Sequence, residues 1–317
     1  MGLEKVALIG SGNWGSVIAN IIGKNVQLHP GFDHEVKMWV FEEIINGQKL
    51  TDIINETHEN TKYLPGFKLS SNLKAVPDLL EAAHDATVLV FVIPHQFVKG
   101  VCNQLKGRIL PNAKAISLVK GVDVDETGLH PITQIISENL NISVSSLSGA
   151  NIANEIAKEN FSETTVGYHI REEGELFKHL LETPYFRVGI IEDVIGVELC
   201  GALKNVIAIA AGIIDGLKLG ENAKAAVIRI GLLEMKKFAQ TFYAGVKDET
   251  FFESCGIADV ITSSYGGRNR RVAEAFVTTQ KPFEQLEKEL LAGQKLQGTL
   301  TAREINSVLR RKGLENE

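Results

Sequence analysis

Residues 5–15 read Lys-Val-Ala-Leu-Ile-Gly-Ser-Gly-Asn-Trp-Gly, a short apolar run that stops directly at Gly-x-Gly-x-x-Gly. The placement constrains the fold more than the motif does. Residues 6–9 have the make-up of a buried parallel strand, and residues 14–22 carry the small and apolar side chains of a packed helix. Between them Gly10 lets the chain turn sharply, Gly12 lets a ligand approach the backbone, and Gly15 lets helix and strand pack closely. A pyrophosphate there would rest on a helix N-terminus, where N–H groups and the helix dipole favour negative charge. A glycine-rich turn without a ligand is the plainer reading. The position between strand and helix favours a dinucleotide site.

The alternation continues through the first 190 residues or so. Further strands are expected at 36–41, 87–93, 115–119 and 144–147, with 164–168 and 186–191 as extensions. Near-continuous apolar runs of this length suit strands covered on both faces. Helices are expected near 48–58, 77–84, 96–106, 128–140 and 152–159, several preceded by Pro or Gly. Strand and helix in alternation imply an α/β fold, a Rossmann-type doubly wound parallel sheet. From Asp193 the texture changes. Apolar residues recur at helical spacing through 194–217, 223–243, 270–277, 283–291 and 301–309. The expected division is therefore a dinucleotide-binding domain over 1–191 and an all-helical substrate domain over 192–317.

Composition narrows the function classes. A chain of 317 residues with 44% hydrophobic content has ample material for a core, and a net charge of −6 argues against general nucleic-acid binding. An anionic ligand then needs a local basic cluster, and residues 268–271 supply one. No apolar run approaches the ~20 residues of a membrane span, so no membrane insertion is expected. The N-terminus lacks a basic, long-apolar leader pattern, and the expected location is the cytoplasm. Cys102, Cys200 and Cys255 have no metal-ligand spacing, so no metal site is expected and the thiols read as buried and reduced.

The second strand runs into Glu42 and Glu43 with no Arg nearby. An acid there accepts hydrogen bonds from the adenosine ribose, whereas a 2′-phosphate wants a cation, so NAD is favoured over NADP. The offset from Gly15 is longer than usual because residues 27–34 read as an inserted loop. Phe41 could lie against the adenine or belong to the core, and Phe97 could wall the nicotinamide or staple the next helix. His95, at the carboxyl edge of another strand, is a candidate base or a solvated loop histidine.

On the substrate side, a Lys204-Asn205 pair stands inside the apolar stretch 197–214. Burying an ammonium is costly, so Lys204 either reaches solvent or faces a polar cleft between domains. Residues 256–271 bring an acid, hydroxyls, a glycine turn and a cationic cluster close together in sequence, an anion-recognition loop or a solvated helix start.

In these segments the chain resembles the eukaryotic cytosolic NAD-dependent glycerol-3-phosphate dehydrogenases. The shared motifs are Gly-Ser-Gly-Asn-Trp-Gly (10–15), Pro-His-Gln-Phe (94–97), Lys-Gly-Val-Asp (120–123), Gly-Ala-Asn-Ile-Ala (149–153), Cys-Gly-Ala-Leu-Lys-Asn (200–205), Tyr-Gly-Gly-Arg-Asn-Arg (265–270) and Gly-Gln-Lys-Leu-Gln-Gly (293–298). They run across nearly the whole chain. The resemblance implies reversible reduction of dihydroxyacetone phosphate to sn-glycerol 3-phosphate, NAD as cofactor, and a homodimer. By position it implies that Gly10, Ser11, Gly12, Asn13, Trp14, Gly15, Phe41, Phe97, Ala153, Arg268, Lys295 and Gln297 contact the dinucleotide. Lys120, Asn205, Ser263, Arg268 and Asn269 would hold the phosphorylated substrate. Lys204 would be the proton donor or acceptor, with Lys120 beside it, and Asp259 and Asn151 would orient the lysines. Burial and Lys120 would lower the Lys204 pKa while Asp259 opposed them.

Some positions depart from the family pattern. Ser263 stands where the family usually has Thr, Ala223 replaces a Thr before Lys224, and Thr299 replaces a Pro after Gly298. The family also continues past Lys312-Gly313-Leu314, and the shorter end is expected to bear on stability or dimer packing more than on chemistry. A hydroxyacid dehydrogenase of the same plan, with a carboxylate in the anion site, is one alternative. A non-catalytic NAD-binding protein is another.

Overall fold

Along the strand Glu4–Ile9 successive side chains point to opposite faces, and both faces are apolar. Val6 and Leu8 join one core with Ile18 and Ile22 of the helix Asn13–Val26. Ala7 and Ile9 join a second core with Val101 and Leu105 of the helix Val98–Leu105 and with Ile135 and Ile136 of the helix Ile132–Leu140. A strand covered on both faces belongs to a parallel sheet sheathed in helices. The computed structural model, which describes residues 2–124, 128–291 and 295–315, has that sheet.

Eight strands lie in the order Phe186–Ile191, Ser162–Gly167, Ser143–Ser148, Lys114–Ser117, Val88–Phe91, Glu4–Ile9, Phe32–Trp39 and Leu73–Val76. Parallel ladders join Glu4–Ile9 to both of its neighbours, then continue to Leu73–Val76 on one side and through Lys114–Ser117 to Ser143–Ser148 on the other. The chain builds outward from Glu4–Ile9 in one direction and returns to build in the other. Ile9, level with Trp39 and Phe91, therefore ends at the point where the strand order reverses, the usual ligand crevice of open α/β sheets.

Two expectations need correction. The second strand is Phe32–Trp39, not 36–41, and Glu4 pairs with Phe32, so residues 32–34 are strand and not an inserted loop. Asp33, His34 and Glu35 hide its beginning, because one side of that segment is wet while Phe32 and Val36 are buried. The sequence pattern also does not announce the edge strand Leu73–Val76 or the amphipathic helix Arg171–Leu181.

Met1–Val119, Ile132–Leu147 and Asn151–Val194 form one unit around the sheet; Lys120–Pro131, Ser148–Ala150 and Ile195–Glu317 form the other. The second unit is built on the helices Val194–Gly216, Glu221–Phe242, Asp259–Tyr265, Arg268–Thr279, Phe283–Leu291 and Gln297–Lys312. Val194–Gly216 corrects the reading of apolar runs. By length and composition it could cross a membrane, but 67% of its most apolar window is buried inside the protein, as in a core helix. Glycines on this helix let others approach closely. A Cβ on Gly212 would meet the Arg270 carbonyl oxygen at 2.2 Å, and one on Gly216 would meet Val277 Cβ at 2.6 Å.

Candidate active site

The glycine turn of the sheet unit uses its three glycines differently. Gly10 has φ +122°, and a Cβ there would meet the Val92 carbonyl oxygen at 2.5 Å. A Cβ on Gly15 would come within 2.7 Å of the Gly10 carbonyl oxygen. A Cβ on Gly12 would meet nothing within 4 Å. Two glycines thus permit packing, and the middle one leaves open space over the backbone. The helix Asn13–Val26 starts there with no side-chain cap, so its first-turn N–H groups meet no competing side-chain oxygen. The open backbone and the uncapped helix fit a dinucleotide pyrophosphate.

Side chains from elsewhere in the unit hold this turn. Asn60, fully buried, donates to the Ser11 carbonyl at 2.8 Å and to Ser16 Oγ at 2.9 Å. Asn13 donates to the Tyr63 carbonyl at 2.8 Å and to Asn154 Oδ1 at 3.0 Å. Trp14 sets its ring edge-on to Phe186, and Ala153 opens the short helix Ala153–Ala157. Sequence reasoning missed Asn60. A lone Asn after a helix gives no signal of burial.

Phe41 and Phe97 are 72% and 57% exposed, beyond the carboxyl ends of Phe32–Trp39 and Val88–Phe91. Large aromatics left in solvent beside a crevice are apolar surfaces for flat rings. Thr51 holds Glu42 through its N–H and hydroxyl, and Lys62 and Tyr63 hold Glu43. His95 lies in the single turn His95–Phe97. Asn151, expected to orient the lysines, has its amide engaged in the sheet unit. It donates to Ser162 Oγ at 3.3 Å and the Glu163 carbonyl at 3.0 Å, and accepts from Thr164 Oγ1 at 3.0 Å. The structure gives it the work of pinning the turn that precedes Ala153.

In the helical unit, Lys204 and Asp259 are both buried, and the Lys204 ammonium donates to Asp259 Oδ1. Lys120 Nζ lies 3.8 Å from Asp259 Oδ2, an oxygen that takes no hydrogen bond. Burial first, and then the charge of Lys120, bring the Lys204 pKa down to about 7; Asp259 opposes both. Asp259 opens the helix Asp259–Tyr265 directly after the wide turn Ser254–Ala258. Gly256 in that turn presses on Phe251, whose carbonyl oxygen a Cβ would meet at 2.3 Å. One helical turn past Asp259, Ser263 Oγ stands 3.5 Å from Asp259 Oδ1.

Beside the lysine runs a chain of amides. The Gly298 N–H donates to Asn269 Oδ1 at 2.9 Å, and Asn269 Nδ2 donates to Asn205 Oδ1 at 2.9 Å. The direction of these bonds leaves the Asn205 amino group only a long contact of 3.4 Å to the Ala202 carbonyl, and therefore a donor to offer. Gly298 fits tightly, since a Cβ there would meet the Asn205 carbonyl oxygen at 2.5 Å. Arg268, exposed, opens the helix Arg268–Thr279 just before Asn269. Lys295 Nζ bonds Glu287 Oε2 at 2.8 Å, and the Leu296 N–H bonds Glu287 Oε1 at 3.0 Å, so Glu287 holds the entry to the helix that Gln297 begins. Gly293 and Gln294 of the expected motif lie outside the described residues. Nothing in its polar helical sequence singles out Glu287.

Such a cluster can do proton chemistry. An ammonium tuned close to neutrality, a second cation, a carboxylate that orients them and an adjacent amide donor suit protonation of a carbonyl oxygen. Comparison with known proteins agrees on the class. A family model for the N-terminus of NAD-dependent glycerol-3-phosphate dehydrogenase matches residues 5–173, and the model for its C-terminus matches residues 193–317. The cytoplasmic NAD(+) glycerol-3-phosphate dehydrogenase of Pongo abelii is 58% identical over 315 residues, 99% of this chain and 90% of that one. Among solved structures, the glycerol-3-phosphate dehydrogenase of Saccharomyces cerevisiae matches with a TM-score of 0.94 at 46% identity, over 98% of this chain and 92% of that one. That of Plasmodium falciparum matches with a TM-score of 0.96 at 41% identity, over 99% and 88%.

Proposed function

The chain belongs to the NAD-dependent glycerol-3-phosphate dehydrogenase family, and from that premise we propose how its own residues divide the work. The enzyme interconverts dihydroxyacetone phosphate and sn-glycerol 3-phosphate with NAD as cofactor, in the cytoplasm, where its relatives are named. The bound nicotinamide supplies or accepts the hydride.

Lys204 gives the proton to the carbonyl oxygen during reduction and takes it back from the hydroxyl during oxidation. The observation that carries this role is a buried lysine, held by Asp259 and lowered to about 7 by burial and by Lys120. Lys120 faces the negative charge that grows on the oxygen. Asp259 keeps both ammonium groups in place. The amino group of Asn205 and the hydroxyl of Ser263 are positioned as substrate donors, with Asn269 setting the orientation of Asn205.

Arg268 holds the substrate phosphate and lies near the cofactor, and that remote binding aligns the ketone. Residues 10–15, Phe41, Phe97, Ala153, Lys295 and Gln297 hold the dinucleotide. For Lys295 this means exchanging Glu287 for a cofactor oxygen. Replacing Arg268 with Ala is expected to raise the KM for dihydroxyacetone phosphate by at least about 100-fold, the scale of a charged hydrogen bond lost with its partner. Steady-state NADH oxidation measures it, with NADPH as the control that tests cofactor choice. An unchanged KM, or faster turnover of small keto acids than of dihydroxyacetone phosphate, would remove the phosphate-holding role.

A homodimer completes the reading. Ala226, Ile230 and Leu233 form an exposed stripe at helical spacing on Glu221–Phe242, a surface suited to a second copy. Sedimentation velocity on the parent and on Leu233→Glu tests it; a parent that sediments as a monomer at micromolar concentration sinks the dimer.

A further inference from the structure

The mechanism leaves one buried ammonium unused. Lys224, on the helix Glu221–Phe242, is 4% exposed, and its Nζ lies 2.8 Å from Asp215 Oδ2 and 4.2 Å from the centroid of the Tyr265 ring. The same carboxylate oxygen accepts from Arg270 Nε at 2.6 Å. Tyr265 and Arg270 bracket Gly266, Gly267 and Arg268 in sequence. Asp215 therefore fastens the turn at both ends, through Lys224 to the residue before the glycines and directly to a residue after them. Burial alone would raise the Asp215 pKa, but the hydrogen bonds from Lys224 and Arg270 hold it below the usual carboxylate range.

The fastening acts on a segment that needs it. Arg268 and Arg270 are two residues apart on one helix, about 200° around its axis, so they face opposite ways. Seating Arg270 against Asp215, with its backbone pressed on Gly212, fixes the roll of the first helical turn and with it the direction of Arg268. Two glycines before an arginine would otherwise leave the backbone of the turn many conformations, and the phosphate would have to order it on binding.

We propose that Asp215 is a positioning residue for the substrate phosphate: with Lys224 and Arg270 it presets the Tyr265–Arg268 turn. The inference rests on the assignment of Arg268 to the phosphate. A substrate that has no phosphate does not use the turn, which gives a readout that a merely structural role would not move.

The experiment compares the parent enzyme with Asp215→Asn and Tyr265→Leu. It measures NADH-dependent reduction of dihydroxyacetone phosphate, and of dihydroxyacetone with and without added phosphite. Tyr265 is 53% exposed, so the second variant tests the same fastening with little risk to folding. Asp215→Asn is expected to raise the KM for dihydroxyacetone phosphate by about tenfold or more with kcat within about threefold, the scale of a lost charge-assisted bond. It should also abolish the gain from phosphite while dihydroxyacetone alone turns over within about threefold of the parent. Tyr265→Leu should move the same quantities in the same direction by a few fold, the reach of one cation–π contact.

Two results overturn the proposal. Both variants retain the parent KM and phosphite gain, or both lose reduction of the phosphate-free and phosphorylated substrates by one common factor. A parent that phosphite does not activate removes the Arg268 assignment as well, so the two failures are told apart.

Discussion

The glycine turn of the sheet unit and the lysine cluster of the helical unit are built on opposite principles. At Gly10, Gly12 and Gly15 the useful feature is the absence of side chains: two glycines permit close packing and one leaves the backbone bare. At Lys204 the useful feature is a charged side chain taken out of water, which Lys120 pushes towards neutrality and Asp259 holds. The first site offers N–H groups that any sequence carries. The second depends on a few titratable groups whose environment sets their proton affinity. A backbone site therefore fails when atoms are added, and a side-chain site fails when charge is removed.

The largest expected effect follows from removing that charge. Lys204→Ala should lower kcat for reduction by about 10²–10⁴-fold, the span of general acid–base catalysis, with NADH affinity unchanged. The parent supplies the pH signature. Reduction needs the protonated lysine, so its rate should fall as pH rises through about 7; oxidation needs the neutral amine and should rise over the same range. In Lys204→Ala both inflections near 7 should vanish. Turnover within a few-fold of the parent, or an unmoved profile, would assign the proton to another group.

Adding atoms at the other site should give smaller effects of two kinds. Gly12→Ala meets open space, so its melting temperature should match the parent while NADH binding, followed by titration of nicotinamide fluorescence, weakens. A weakening of about tenfold or more is expected if the backbone and pyrophosphate are in contact. Gly10→Ala forces a side chain into a φ of +122° and against the Val92 carbonyl, so it should lose stability by more than about 1 kcal/mol as well as NADH affinity. A Gly12→Ala protein that bound NADH normally would mean that the open space above this turn is not where the dinucleotide lies.

The same contrast explains what was legible in the sequence. The backbone site is contiguous, and its strand, turn and helix announce themselves in eleven residues. The sheet around it was readable where strands are apolar throughout, as at Val88–Phe91 within the expected 87–93, and also at Phe186–Ile191, whose limits match the expected ones. It was hidden where polar residues interrupt the apolar run, as over residues 33–35 of Phe32–Trp39 and at Lys74 of Leu73–Val76. The lysine cluster draws Lys120, Lys204 and Asp259 from three distant segments. Periodicity marked Lys204 as anomalous in an apolar helix but could not name its partners; the family resemblance did. Asn60, Asp215 and Glu287 went unseen because a buried hydrogen bond leaves no local pattern in a single chain.

The smallest expected effect also adds one carbon, this time at the helical site. Ser263→Thr keeps the hydroxyl and introduces a methyl on a half-buried face of Asp259–Tyr265. The hydroxyl contact to Asp259 is already long at 3.5 Å, so little stabilisation is at stake in its geometry. The kcat and the KM for dihydroxyacetone phosphate should each stay within about twofold of the parent, because a surface-accessible side chain can shift by a rotamer where a bare backbone cannot. If the extra methyl instead raised the KM tenfold, the Ser263 side chain would have no room to turn beside the substrate it donates to. The helical site would then share the intolerance of added atoms that otherwise sets the glycine turn apart.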